Sequence, residues 1–125
     1  LDVVGVIARH TGQSKIPYVG VAAHKSWVEN NGDLIPKLFA TYAAAAAFIN
    51  DNPEEAAEII SEASDGKLTR DVLVGLIRSG RMGMDVYWVS DVLSAAKATF
   101  EAAMSIEYLN QMPADSIVYG GEGLR

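Results

Sequence analysis

Ala40-Thr41-Tyr42-Ala43-Ala44-Ala45-Ala46-Ala47-Phe48-Ile49-Asn50-Asp51-Asn52-Pro53-Glu54-Glu55-Ala56-Ala57 reads as one helix followed at once by the start of another. Alanine has the highest helix propensity of any residue, so Ala43 to Ala47 predicts a helix whose small side chains let a neighbouring helix come close. Just upstream, Asn30, Asn31, Gly32 and Asp33 supply turn and cap chemistry, and Pro36 is tolerated in a first helical turn. A helix is expected to start there. Its apolar stripe is Ile35, Leu38, Phe39, Tyr42, Ala45, Ala46 and Ile49. Asn52-Pro53 then reads as a restart: Asn caps, Pro fits the first helical position, and Glu54 and Glu55 sit at the positive end of the helix dipole.

In this second helix Ala56, Ile59, Ile60 and Ala63 are expected to face inward. Glu55, Glu58 and Glu62 form a solvated outer face, with no histidine at helical spacing to make a metal or acid/base site of them. Gly66 is expected to end it. Thr69 opens a third helix through Val72, Leu73, Leu76 and Ile77, with Arg78 near its end and Gly80 as the stop. Residues 81–89 hold Met82, Met84, Tyr87 and Trp88 around Gly83 and read as a short strand, an extended connector or a mobile lip. Ser90 and Asp91 then start a fourth helix, expected to be the longest, with Val92, Ala96, Phe100, Ala103 and Ile106 or Glu107 along one side.

Two runs upstream look different. Val3 to Ala8 and Tyr18 to Ala23 are short and apolar, which suits buried strands. The tail, Ser116 to Arg125, reads as an extended strip with Gly120, Gly121 and Gly123. The expected fold class is therefore α/β and helix-rich, with about four helices and two or three short strands. Organisation follows the same division within one unit over residues 1–125: a strand and crossover region at 1–29, a helical region at 30–110 and an extended tail at 111–125.

Composition narrows the partners. In 125 residues, sixteen acids face ten Lys and Arg, giving a net charge of -6 and a pI near 4.7. Phosphate binding needs a basic stripe, so no nucleic-acid partner is expected, and an anionic membrane surface is disfavoured likewise. No apolar run approaches the ~20 residues needed to cross a bilayer, because Asn50 and Asp51 break the longest one, so no membrane span is expected. The absence of cysteine excludes disulfides, a thiolate nucleophile and cysteine-ligated metals. Leu1-Asp2-Val3-Val4 contains no initiator Met and no signal-peptide pattern, which reads as a processed product or, the favoured reading, a piece of a longer polypeptide.

Catalytic motifs find no support. There is no Gly-x-Ser-x-Gly elbow, no phosphate loop ending in Lys-Ser or Lys-Thr, and no His-Glu-x-x-His. No enzyme activity, cofactor or metal is expected. His10 and His24 are the two histidines, and without a convergent carboxylate they make a poor metal site. The residues singled out for ligand binding are Arg9, His10 and Thr11 after the first expected strand, and His24 and Trp27 after the second. In open α/β folds ligands collect beyond the carboxyl ends of strands, and the Arg9 guanidinium is a forked donor suited to an anion.

Ile16-Pro17-Tyr18-Val19-Gly20-Val21-Ala22-Ala23, the alanine-rich helix and the Asn52-Pro53-Glu54-Glu55-Ala56 step together resemble the C-terminal half of ABC transporter solute-binding proteins. The resemblance is to the nitrate, sulfonate and taurine type, similar also to the thiamine-pyrimidine precursor group, within the type II periplasmic binding proteins. Met112-Pro113-Ala114-Asp115-Ser116-Ile117-Val118-Tyr119 is similar to an ending seen there, so the likeness covers most of Ile16 to Tyr119. It implies a periplasmic or extracytoplasmic protein that captures a small anionic or heteroaromatic solute and delivers it to ABC permease subunits. It also implies a second lobe that supplies much of the site. Two further classes stay open: a stand-alone helical interaction or sensor module acting as a homodimer, and third, an enzyme on a related scaffold.

Overall fold

Three helices of this chain end in one hydrogen-bond pattern, set by the residues just past each end. The computed structural model describes residues 5, 8, 9, 12, 15, 17, 19–114 and 119. Its helices are α1 (Lys25–Asn30), α2 (Ile35–Asp51), α3 (Pro53–Ala63), α4 (Arg70–Arg78) and α5 (Leu93–Ser105), with 3-10 turns at Gly32–Leu34 and Val89–Val92. After α4, Gly80 N–H donates to Ile77 O (2.9 Å) and Arg81 N–H to Leu76 O (3.2 Å), which is a Schellman closure with Gly80 at φ +67°. Asp65 and Gly66 close α3 onto Glu62 and Ser61, and Glu107 and Tyr108 close α5 onto Met104 and Ala103, in the same way. The sequence assigned the α3 stop to Gly66, but the residue in the left-handed position that begins the closure is Asp65, at φ +53°; Gly66 follows at +71°.

Glu107 occupies that left-handed position after α5 at φ +59°, where a Cβ crowds the following carbonyl. Glu107→Gly is therefore expected to stabilise the protein by up to about 1 kcal/mol, the relief of strain outweighing the added freedom of the unfolded chain. Thermal unfolding checks this: Glu107→Ala, which keeps the Cβ, should give no such gain.

The α/β expectation is contradicted: the structure is 64% helical and contains no strand among the described residues. Gly5, Ala8 and Arg9, in and after the run expected to be the first strand, are helical, and Gly12 N–H donates to Ala8 O (2.8 Å). Val19–Ala23, from the second expected strand, has no regular structure, and Val19 and Val21 are 81% and 75% exposed. An isolated extended segment leaves its N–H and C=O groups without a ladder, so a short apolar run becomes a strand only where a partner strand exists. Residues 83–88 also take no regular structure. The longest helix is α2, at 17 residues, rather than α5, at 13, which begins only after a 3-10 turn at Val89–Val92. The expected extended tail falls almost wholly outside the described residues.

Contacts divide the chain into two units, Asp33–Val86, and Leu1–Gly32 with Tyr87–Arg125. In Asp33–Val86 the core is Ala56, Ala57, Leu73 and Ile77, with Ile49, Ile60, Val74 and Met82 packed around it. Ala57 is fully buried and Leu73 is 3% exposed, so α3 meets α4 through alanine, which brings the two helices close. Two ion pairs cross the same junction, Arg78 with Glu54 and Arg70 Nε with Glu58 Oε2 at 3.1 Å. They join the start of α3 to the end of α4 and the middle of α3 to the start of α4, an antiparallel arrangement. In the other unit Val92, Ala95 and Ala96 are the buried apolar residues among those described, in the 3-10 turn and α5.

The junction between α2 and α3 also departs from expectation. Asn52 occupies the N-cap position of α3 without a side-chain cap bond. Its side-chain Nδ2 donates instead to Phe48 O (3.1 Å), alongside its own backbone N–H (2.9 Å). One residue separates the two helices, and its side chain adds a second hydrogen bond to a carbonyl that its backbone already pairs, while Pro53 brings no N–H and Glu54 and Glu55 meet the positive end of α3.

Counted through the 3-10 turn, Gly32–Asp51 is 20 residues of helix whose most apolar 18-residue window has a mean hydropathy of 1.2, enough by length and composition to cross a membrane. The sequence expected no such run; Asn50 and Asp51 lie at the end of this helix and do not interrupt it.

Candidate functional site

Of the five candidate binding residues, His10 and Thr11 lie outside the described residues. Arg9 is helical and exposed. His24 holds the N-cap position of α1, where its carbonyl accepts the N–H groups of Trp27 (2.9 Å) and Val28 (3.1 Å). That turn of backbone brings His24 and Trp27 together. Asn30 and Asn31 close the other end of α1, their side-chain amides donating to Ser26 O (2.7 Å) and Trp27 O (2.9 Å). The sequence had read these asparagines as the start of the following helix. They end a short one instead. All five candidates are placed by the sequence after strands; Arg9 is helical and no strand precedes His24 among the described residues, so that placement does not stand.

Two concave surfaces lie in Asp33–Val86. A groove of about 260 Å³ between α2 and α3 is lined by Ala45, Phe48, Ile49, Ala56, Ile59 and Ile60, with no polar surface. A second, of about 250 Å³, is lined by Ala43, Ala46 and Ala47 together with Asn50, Met84, Asp85 and Val86. The alanine run thus lines both grooves, with Ala45 facing α3 and Ala43, Ala46 and Ala47 beside the irregular segment Met84–Val86. Methyl side chains leave room for a backbone nearby, and Gly80, in the left-handed region at φ +67°, turns the chain after α4. Asn50 and Asp85 put an amide and a carboxylate at this second groove, and sequence reasoning missed both because they are far apart in the chain.

Ile59 was expected to face inward and is 53% exposed. Ala56, three residues before it, occupies the covered position and Ile59 forms the groove wall. The two Glu–Arg pairs were also missed, although acids early in α3 and an arginine at each end of α4 were the signal. Among the described residues no group of three His, Asp or Glu side chains is placed to hold a metal ion.

No protein-family model, curated protein or solved structure matches the chain.

Proposed function

We propose that this chain is the helical C-terminal part of an extracytoplasmic solute-binding protein of an ABC transporter, which captures a small anionic or heteroaromatic solute for delivery to permease subunits. The observation that carries the reading is the α2–Asn52–α3 step. Two helices meet across a single residue, followed by α4, in the order of the resembling Ala-rich and Asn-Pro-Glu-Glu-Ala segments. The mechanism is hinge closure: contacts shared between lobes favour the closed form, and only differential affinity for that form shifts the population. No bond is made or broken.

Arg9 is the residue proposed to meet an anion. A hydrogen bond to a charged group contributes about 1.5–3 kcal/mol, so Arg9→Ala is expected to weaken binding of taurine or nitrate about ten-fold or more. Glu58→Ala, on the exposed face of α3, should leave it unchanged. Isothermal titration checks both, and equal effects would remove Arg9 from the site.

A second reading, a helical module that forms a homodimer, is favoured by Leu34, Leu38 and Tyr42, which sit at i, i+4 and i+8 and are all exposed. Native mass spectrometry separates the two: a retained small-molecule mass supports solute capture, and a bare dimer supports the module.

A further inference from the structure

We propose that the groove between α2 and α3 is a docking site for a cationic amphipathic helix of another protein. The floor is apolar: Ala45, Phe48, Ile49, Ala56, Ile59 and Ile60 line it without a polar atom, and Ile59 stands half-exposed on its wall. The rim is acidic. Glu55 lies four residues before Ile59 and Glu62 three residues after it, so both stand beside it on α3, and Asp51 lies three residues after Phe48 on α2. All three are exposed. The ion pairs of this unit are taken up by Asp33, Glu54, Glu58 and Asp71, leaving Asp51, Glu55 and Glu62 without a cation among the described residues.

An apolar trough edged by carboxylates is complementary to a helix that carries aliphatic anchors at i, i+3 or i+4 and i+7 with Lys or Arg on either side. The charge pattern selects against a second copy of this chain. A two-fold dimer through this face would set the acidic rim against itself, and like-charge juxtaposition across an interface is costly. The inference does not depend on solute capture, since it uses none of Arg9, His24 or Trp27.

The test is fluorescence anisotropy of the full chain with a labelled helical peptide of leucines at that spacing and lysines elsewhere, compared with a leucine–glutamate peptide of the same pattern. The lysine peptide is expected to bind and the glutamate peptide not to. Ile59→Ser should weaken binding about ten-fold, as loss of a central anchor does. Ala45→Lys, at an exposed position on the facing helix, should do the same by placing a cation in the trough. The double variant Glu55→Gln/Glu62→Gln should weaken binding several-fold and flatten its salt dependence, while Glu29→Gln/Glu101→Gln, with the same change in charge, should not. Equal binding of both peptides, equal effects of the two double variants, or no effect of both Ile59→Ser and Ala45→Lys would overturn the proposal. So would a dimer in sedimentation that Ile59→Ser dissociates, or attachment to lipid vesicles that the same substitution abolishes.

Discussion

Leu73→Ala is expected to destabilise the protein by about 2–5 kcal/mol, the range for removing a buried leucine side chain and leaving a cavity. Leu73 sits at the centre of the Ala56, Ala57 and Ile77 cluster, and partly covered neighbours such as Val74 and Met82 are few. Small units have little stability in reserve, since a short chain buries a smaller fraction of its surface. The loss should therefore approach the whole stability of Asp33–Val86. Urea unfolding followed by far-ultraviolet circular dichroism measures it. Val72→Ala, at an exposed position on the same helix, should stay within about 0.5 kcal/mol of the parent and serves as the comparison. Similar losses for the two variants would mean that α4 does not pack by the Leu73 face.

Ala57→Leu is expected to cost about 1–3 kcal/mol or more by the opposite route. Ala57 is fully buried where α3 meets α4, and the added carbons have no void to enter. The helices must separate, which also pulls Glu54 from Arg78 and Glu58 from Arg70. Exposed pairs of this kind contribute at most about 1 kcal/mol each, so steric crowding costs more than the lost ion pairs. The matching substitution Ala44→Leu, on the exposed side of α2, should be nearly neutral. If Ala57→Leu is equally neutral in the same urea experiment, the close approach of α3 and α4 is wrong.

How much of this was legible in the sequence follows from where each structure finds its hydrogen bonds. A helix satisfies its own backbone, so local residues announced it: Pro36, Asn52-Pro53, Thr69 and Gly80 mark boundaries that the structure has to within a few residues. Strands depend on partners elsewhere, and the β-branched, apolar run at Val3–Ala8 and the run at Tyr18–Ala23 carry no information about whether such partners exist. The finer closures were legible only as a choice between adjacent residues. Asp65 and Gly66 both tolerate the left-handed region, and composition favoured the glycine that in fact comes second. Asn52 had a carbonyl within reach behind it as well as an amide ahead, and the pattern of residues did not say which it would take.

The candidate site was less legible than the fold. Arg9, His10, Thr11, His24 and Trp27 were located by reference to strands, and the structure removes that reference while leaving Arg9 exposed and His24 and Trp27 on one helical turn. The groove between α2 and α3 could have been anticipated from Phe48, Ile49, Ile59 and Ile60. That required knowing that Ala56, with the smaller side chain, would take the covered position and leave Ile59 half outside.

The most direct test of solute capture is a nuclear magnetic resonance titration of the uniformly labelled full chain with taurine, nitrate and a pyrimidine precursor. At least one of them is expected to shift the amide signals of Arg9, His24 and Trp27, and Arg9→Ala is expected to abolish the shifts for an anionic solute. Signals in this region that stay fixed with all three solutes, or shifts that survive Arg9→Ala unchanged, would contradict solute capture.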